Sequence, residues 1–145
     1  MKLILSTGIS GVGEKKYLKE WEDYCVKRGK KVKVFNVGEM MLKHAHSCGI
    51  KLKKKNFLNA DKDLLQMDRS ALFAGILSDI SANSLNYDAV VISMHSFMFW
   101  KERFYRTYDR FLKKFSPDMY ITFIDDFRNI AHRLSQRGEW RGKLT

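Results

Sequence analysis

MKLILSTGISGVGEKK, residues 1–16, is the stretch whose reading decides the fold. Leu3, Ile4 and Leu5 are a continuous apolar run, so residues 2–7 read as a short buried strand. The strand gives way to Gly8-Ile9-Ser10-Gly11-Val12-Gly13, a glycine-rich loop, and Lys15 then opens a long amphipathic helix. Strand, glycine loop and helix in succession suit the binding of phosphate. Glycine lets backbone N–H groups turn toward an anion, and the helix N-terminus adds a partial positive charge.

Gly8 and Gly13 have the spacing of the phosphate-loop pattern G-x-x-x-x-G-K-[ST], but the match stops there. Glu14 stands where the pattern has lysine, and Lys15 stands where it has a magnesium-binding hydroxyl. The expected cradle is therefore Gly8, Ile9, Ser10, Gly11, Val12, Gly13, Glu14, Lys15 and Lys16, binding through its backbone. The two side chains that handle lysine and metal chemistry are replaced. A tight strand-to-helix turn that uses glycine only for packing is the plainer alternative.

Outward from this stretch, strands and helices alternate. Residues 15–28 form the first helix, with Leu18, Trp21 and Cys25 on one face and Gly29 as its stop. Residues 31–36 read as a second strand, and a helix follows to Cys48, ended by Gly49. Residues 51–59 are polar and basic, with Lys51, Lys53, Lys54 and Lys55, and read as a loop. Asp61 caps a long helix over residues 62–85, with Leu64, Leu65, Leu72, Ile76 and Ile80 facing inward. Residues 88–93 (DAVVIS) are the most apolar strand. A further helix is expected over residues 100–115, closed by Lys113 and Lys114 and broken by Pro117, the only proline. Residues 119–124 make a fourth strand, and Asp125 and Asp126 start a last helix reaching Arg137.

The order βαβααβαβα predicts an α/β fold of three layers around a mostly parallel sheet. Ligands of such sheets bind beyond the carboxyl ends of the strands. Those ends carry Thr7-Gly8, Asn36 to Gly38, Ser93 to His95 and Asp125-Asp126, so the candidate residues converge on one edge.

A chain of 145 residues with 45% hydrophobic and 30% charged residues is one soluble domain with a real core. No apolar run approaches a membrane span and no signal peptide precedes Leu3, which points to the cytoplasm and away from membranes. Cys25 and Cys48 read as free thiols. The net charge of +11 suits a polyanion, whether nucleotide or, less favoured, nucleic acid.

At this point the chain resembles the nucleoside-monophosphate kinase branch of the P-loop kinases, most closely the archaeal type of adenylate kinase. The resemblance runs stepwise along nearly the whole chain. After the glycine loop, Val34-Phe35-Asn36-Val37-Gly38-Glu39-Met40-Met41 is similar to the family's entry into its monophosphate-binding region. Leu65-Gln66-Met67 lies in a long leucine-rich helix like the family's. Ala89-Val90-Val91-Ile92-Ser93-Met94-His95-Ser96 resembles its buried strand ending in Asp-Thr-His. Phe115-Ser116-Pro117-Asp118-Met119-Tyr120-Ile121 resembles its Pro-Asp strand entry, and Arg133 and Arg137 fall where it places lid arginines. The resemblance implies a P-loop NTPase fold of nucleotide-kinase type spanning residues 1–145; the family continues into a further helix and strand that this sequence does not include, so it reads either as a fragment or as a divergent minimal protein. It further implies ATP or GTP as cosubstrate and γ-phosphoryl transfer to a small nucleotide acceptor. Ser93 replaces the acidic residue that the family uses around magnesium. Together with Glu14 and Lys15, this puts an ordinary magnesium-dependent mechanism in question and favours a non-catalytic, regulatory nucleotide-binding module as the alternative.

Individual side chains carry two readings each. Lys15 could neutralise phosphate in place of the metal, or it and Lys16 could simply be solvated. Arg133 and Arg137, as catalytic residues, would stabilise transition-state charge; otherwise they form a basic helix face. Gly38, Arg69 and His95 are the candidate substrate-binding residues: Arg69 could grip a phosphate bidentately or form a surface ion pair with a neighbour such as Asp68, and His95 could orient a phosphate or a base or be a satisfied core histidine. His44, His46 and Cys48 fall short of a ligand set, and no metal site is assigned. Asp125 and Asp126 are explained by helix capping. Phe97, Phe99, Trp100, Phe104 and Tyr105 could stack a base, but packing of a helix is the favoured reading.

Overall fold

The computed structural model of the chain describes residues 1–50, 62–95, 97–100, 103–106 and 115–137. Its elements are β1 (Lys2–Gly8), α1 (Glu14–Val26), β2 (Val32–Asn36), α2 (Val37–Ser47), α3 (Lys62–Asn83), β3 (Ala89–Met94), β4 (Phe97–Trp100), β5 (Arg103–Arg106), β6 (Met119–Phe123) and α4 (Phe127–Ser135). Four strands pair in the order β2-β3-β1-β6, all parallel, which makes this an α/β protein. β1 lies inside the sheet, with Leu5 opposite Ile92 on one side and Tyr120 on the other.

Alternation along β1 divides the molecule into two packing regions. Leu3 and Leu5 point to the same face as Val90, Ile92 and Met94 of β3 and Phe35 of β2. There they meet Val37 and Met41 of α2 and Phe73, Ile76 and Ile80 of α3 in one cluster. Ser6 and Gly8 point the other way, toward α1, where Glu14 reaches Ser6 and Tyr17 meets Phe123 edge-on at 5.1 Å. Leu18 of α1 and Ile130 and Leu134 of α4 are buried apart from the main cluster. Helices thus cover both faces of the sheet.

The amino-terminal edge of the sheet is fastened by two aspartates. Asp118 accepts from the backbone N–H of Leu3 at 2.7 Å and pairs with Lys2 at 2.9 Å. These bonds, the amide first, hold its carboxyl below the usual carboxylate range. Asp88 does the same between the strands' starts, accepting from the N–H of Lys31 at 2.8 Å with Lys30 nearby, and its pKa is lowered too. Asp118 in the Pro117-Asp118 pair is therefore a strand-register device.

The start of the helix expected over residues 100–115 is strand instead, while Phe115 at its end is helical. Residues 97–106 hold β4 and β5, paired antiparallel with Phe97 opposite Arg106 and Trp100 opposite Arg103. Aromatic residues fit strands as well as helices. Two antiparallel four-residue strands stand where a helical spacing of the same aromatics suggested a helix. Residues 107–114, including Lys113 and Lys114, lie outside the described residues, as do the basic loop 51–59 and the Asp61 cap. Other boundaries moved by one or two residues. α1 begins at Glu14 and ends at Val26, before Gly29 at φ 71°, and α3 stops at Asn83. Arg137 lies just beyond α4, its N–H bonding to the Leu134 carbonyl at 2.9 Å, so it does not share a helix face with Arg133. No helix among the described residues is long and apolar enough to cross a membrane.

Candidate functional site

The parallel sheet brings the ends of β1, β2, β3 and β6 to one edge, as the spacing of candidate residues anticipated. The glycine loop joins β1 to α1 at this edge. Gly11 and Gly13 adopt φ 88° and 96°, left-handed values that glycine takes without strain. Gly13 is the N-cap of α1 and offers no side chain to its first-turn amides. α2 and α4 differ: Asn36 accepts from the N–H of Glu39, and Asp126 from the N–H of Arg128. The first turn of α1 therefore presents its backbone donors without a capping side chain.

The space on the strand side of the loop is filled. A Cβ on Gly8 would lie 2.8 Å from Val12 Cγ1 and 3.5 Å from Glu14 Oε2, so the loop folds over its own first residue. Glu14 is 8% exposed, and its Oε1 accepts from the Ser6 hydroxyl at 2.5 Å. The residue at the lysine position of the phosphate-loop pattern thus turns inward onto β1. Ser6 itself is fully buried. A small polar residue directly after the Leu3-Ile4-Leu5 run was its only sequence signal.

The other candidates divide between the loop's surroundings and places away from it. His95 follows β3, and its Nδ1 donates to the Gly8 carbonyl at 2.6 Å; a carbonyl has no proton to give, so the ring carries hydrogen on Nδ1. Lys15 is largely exposed and forms an ion pair with Glu39 in the first turn of α2, which links the two helix starts across the site. Lys16 points outward to Glu20 at 3.9 Å. Ile9 is exposed, and Ser10 is partly exposed in the turn closed by the Val12 N–H on the Ile9 carbonyl. Gly38 is exposed in the first turn of α2, 3.7 Å from Asn36 Oδ1 for an added Cβ, a position at which an alanine fits. Arg69 lies in α3, with its side chain outside what the structure describes.

Arg133 is held to the loop itself. Its Nε donates to the Gly11 carbonyl at 2.5 Å, and its guanidinium pairs with Asp125. Asp125 also accepts from the Asn129 side chain at 2.9 Å and the Asp126 N–H at 2.7 Å. Hydrogen bonds from Asn129 and then Arg133 and Asp126 depress its carboxyl to about 2. Capping thus explains Asp126, whereas Asp125 is the anchor of an arginine that braces the loop. Sequence reasoning could not pair Arg133 with Gly11, 122 residues away.

Because the Asp125 carboxyl is lowered on folding, its bonds contribute fully above the ordinary carboxylate range and are lost as pH falls toward about 2. An acid titration followed by circular dichroism should show wild type losing stability relative to its neutral value between about pH 4 and 2. Asp125→Asn should lose less over that window. Equal acid losses in the two proteins would contradict the bracing network.

No protein-family model matches the chain, and no curated protein matches it.

Proposed function

We propose that this protein binds a nucleoside triphosphate, ATP or GTP, in the Gly8–Lys15 loop at the carboxyl edge of its sheet, in the manner of a P-loop domain of nucleotide-kinase type. The observation that carries the reading is the join of β1 to α1. A left-handed glycine loop ends in a helix start without a capping side chain, beside an exposed lysine, at the edge where parallel sheets take ligands. The four-stranded parallel sheet is compatible with this.

Binding without transfer is the form that the side chains favour. Phosphoryl transfer to a small nucleotide acceptor rests on cations that move onto the transferring group. Arg133 is occupied by Gly11 and Asp125, and Glu14 brings negative charge to the lysine position. Lys15 remains the cation for the phosphates once it leaves Glu39, in place of a magnesium ligand. A nucleic-acid surface, the other partner of a +11 chain, has no equivalent geometry among the described residues.

Calorimetric titration with ATP and GTP, with and without magnesium, tests the reading. Micromolar binding that survives metal removal is expected. Lys15→Ala should weaken it about tenfold, the worth of one charge-assisted hydrogen bond at a solvated site. Absence of binding under every condition would refute the proposal. Strict dependence on magnesium would refute the role of Lys15. Release of radiolabelled phosphate onto a monophosphate acceptor would favour transfer over binding alone.

A further inference from the structure

The two edges of the parallel sheet are built differently. β2, at one edge, carries Lys33, exposed, with its ammonium 5.7 Å from the Phe35 ring. A lysine on an edge strand blocks pairing with another chain. β6, at the other edge, has no such guard. From Met119 to Ile124 the sequence MYITFI holds neither charge nor proline, in a chain of net charge +11. Met119 and Tyr120 are exposed, Ile124 is 87% exposed and Phe127 79%. The backbone of β6 is also half unused among the described residues. Leu3 turns its N–H and C=O toward Asp118, and Lys2 turns its N–H to Asp88 on the other side. The odd-numbered residues of β1 therefore bond toward β6. In a parallel ladder a residue bonds to the neighbours of its partner. Leu5 thus bonds to Met119 and Ile121, and its partner Tyr120 turns its N–H and C=O outward, as does Thr122, the partner of Thr7.

We infer that β6 pairs antiparallel with β6 of a second copy of this chain, about a two-fold axis at Ile121, joining the two sheets into one. The strand is complementary to itself in that register. Each outward residue meets an outward residue, Tyr120 opposite Thr122 of the other copy and Thr122 opposite its Tyr120, so their N–H and C=O groups close a hydrogen-bonded ladder. Charge favours the same occupant. Two chains of +11 repel, and this edge is a strip along which they meet without bringing cations together. At its ends the two-fold brings Lys2, exposed beside Asp118, to the strand end of the other copy, which holds the exposed carboxylate Asp126. Tyr120, Ile124 and Phe127 supply apolar area around the ladder, roughly 1,000 Å² in total being the low end for a specific interface. A two-fold contact is closed, and Lys33 guards the remaining edges, so assembly stops at two copies. The inference does not depend on the nucleotide reading.

Sedimentation velocity of the whole chain, from about 1 to 200 µM at physiological ionic strength, tests it. Wild type should pass from monomer to dimer with a dissociation constant on the order of tens of micromolar, and form nothing larger. Tyr120 and Thr122 are both exposed, so substitutions there spare the core, and circular dichroism checks that each variant is folded. Tyr120→Lys with Thr122→Lys sets like charges opposite each other and should weaken the dimer at least about tenfold. Tyr120→Glu with Thr122→Glu should weaken it as well, although it lowers the net charge, so the pairing and not the total repulsion is read. Tyr120→Lys with Thr122→Glu sets opposite charges in register and should associate at least about tenfold more tightly than either like-charged variant. Wild type that stays monomeric at every concentration would overturn the inference. So would growth beyond the dimer, or a dimer equally tight in all three variants, which would place the contact on another surface.

Discussion

Phe73→Ala should cost about 3–5 kcal/mol of stability, the usual range for emptying a buried aromatic site. Phe73 is fully buried in the cluster that α2, α3 and the sheet share, and its ring meets that of Phe115 at 5.4 Å in an edge-on arrangement. The truncation removes both the buried area and the ring pair, which adds about 0.5–1.5 kcal/mol beyond area. A domain of this size has roughly 5–15 kcal/mol in all, so the loss is a large part of it. Urea unfolding reads the effect as a lower midpoint at unchanged slope. Tyr120→Ala, on the edge strand and 62% exposed, should stay within about 0.5 kcal/mol. A Phe73→Ala loss no larger than that of Tyr120→Ala would mean that α3 does not pack on the sheet as described.

Phe73 also shows what the sequence conceals. Ile76 and Ile80 were legible as inward positions of α3 because they recur at helical spacing with Leu72. Phe73, one residue on from Leu72, belongs to the same face, yet it is Phe73 that is fully buried while Leu72 is partly so. Periodicity fixes a stripe about 100° wide, and the choice within it is made by the neighbouring sheet. The parallel strands were legible for a simpler reason: β1 and β3 are buried on both faces and read as continuous apolar runs. The antiparallel pair of β4 and β5 was not, since its aromatics satisfy two periods at once.

The site divides in the same way. Loop, helix start and converging strand ends follow from local composition, so Gly8 to Gly13 were visible as a unit. What holds the loop was invisible, because it is tertiary. Glu14 could be read as a missing lysine but not as a partner of Ser6, and Arg133 could be read as a free cation but not as a brace. The same residue types in the same pattern support opposite roles until their partners are known.

Gly11→Ala should be the second costly change, because it strikes both the backbone and this brace. A residue with a Cβ at φ 88° costs about 1–2 kcal/mol. The added Cβ would also stand 2.8 Å from Leu134 Cγ and 3.2 Å from Ile130 Cγ2, two buried side chains of α4. Overpacking of that kind costs about 1–3 kcal/mol more. Gly13→Ala separates the two terms. Its φ is 96°, yet nothing lies within 4 Å of its Cβ, so only the backbone term applies. Thermal or urea unfolding of the two variants should therefore differ by at least about 1 kcal/mol, with Gly11→Ala the weaker protein. The functional consequence runs with it. Pushing α4 from the loop moves Arg133 from the Gly11 carbonyl, so if the loop binds ATP as proposed, that affinity should fall in Gly11→Ala even at temperatures where it remains folded. Equal stability losses in the two variants would show that α4 does not rest on the loop. An unchanged ATP affinity in folded Gly11→Ala would show that the brace is irrelevant to the cradle.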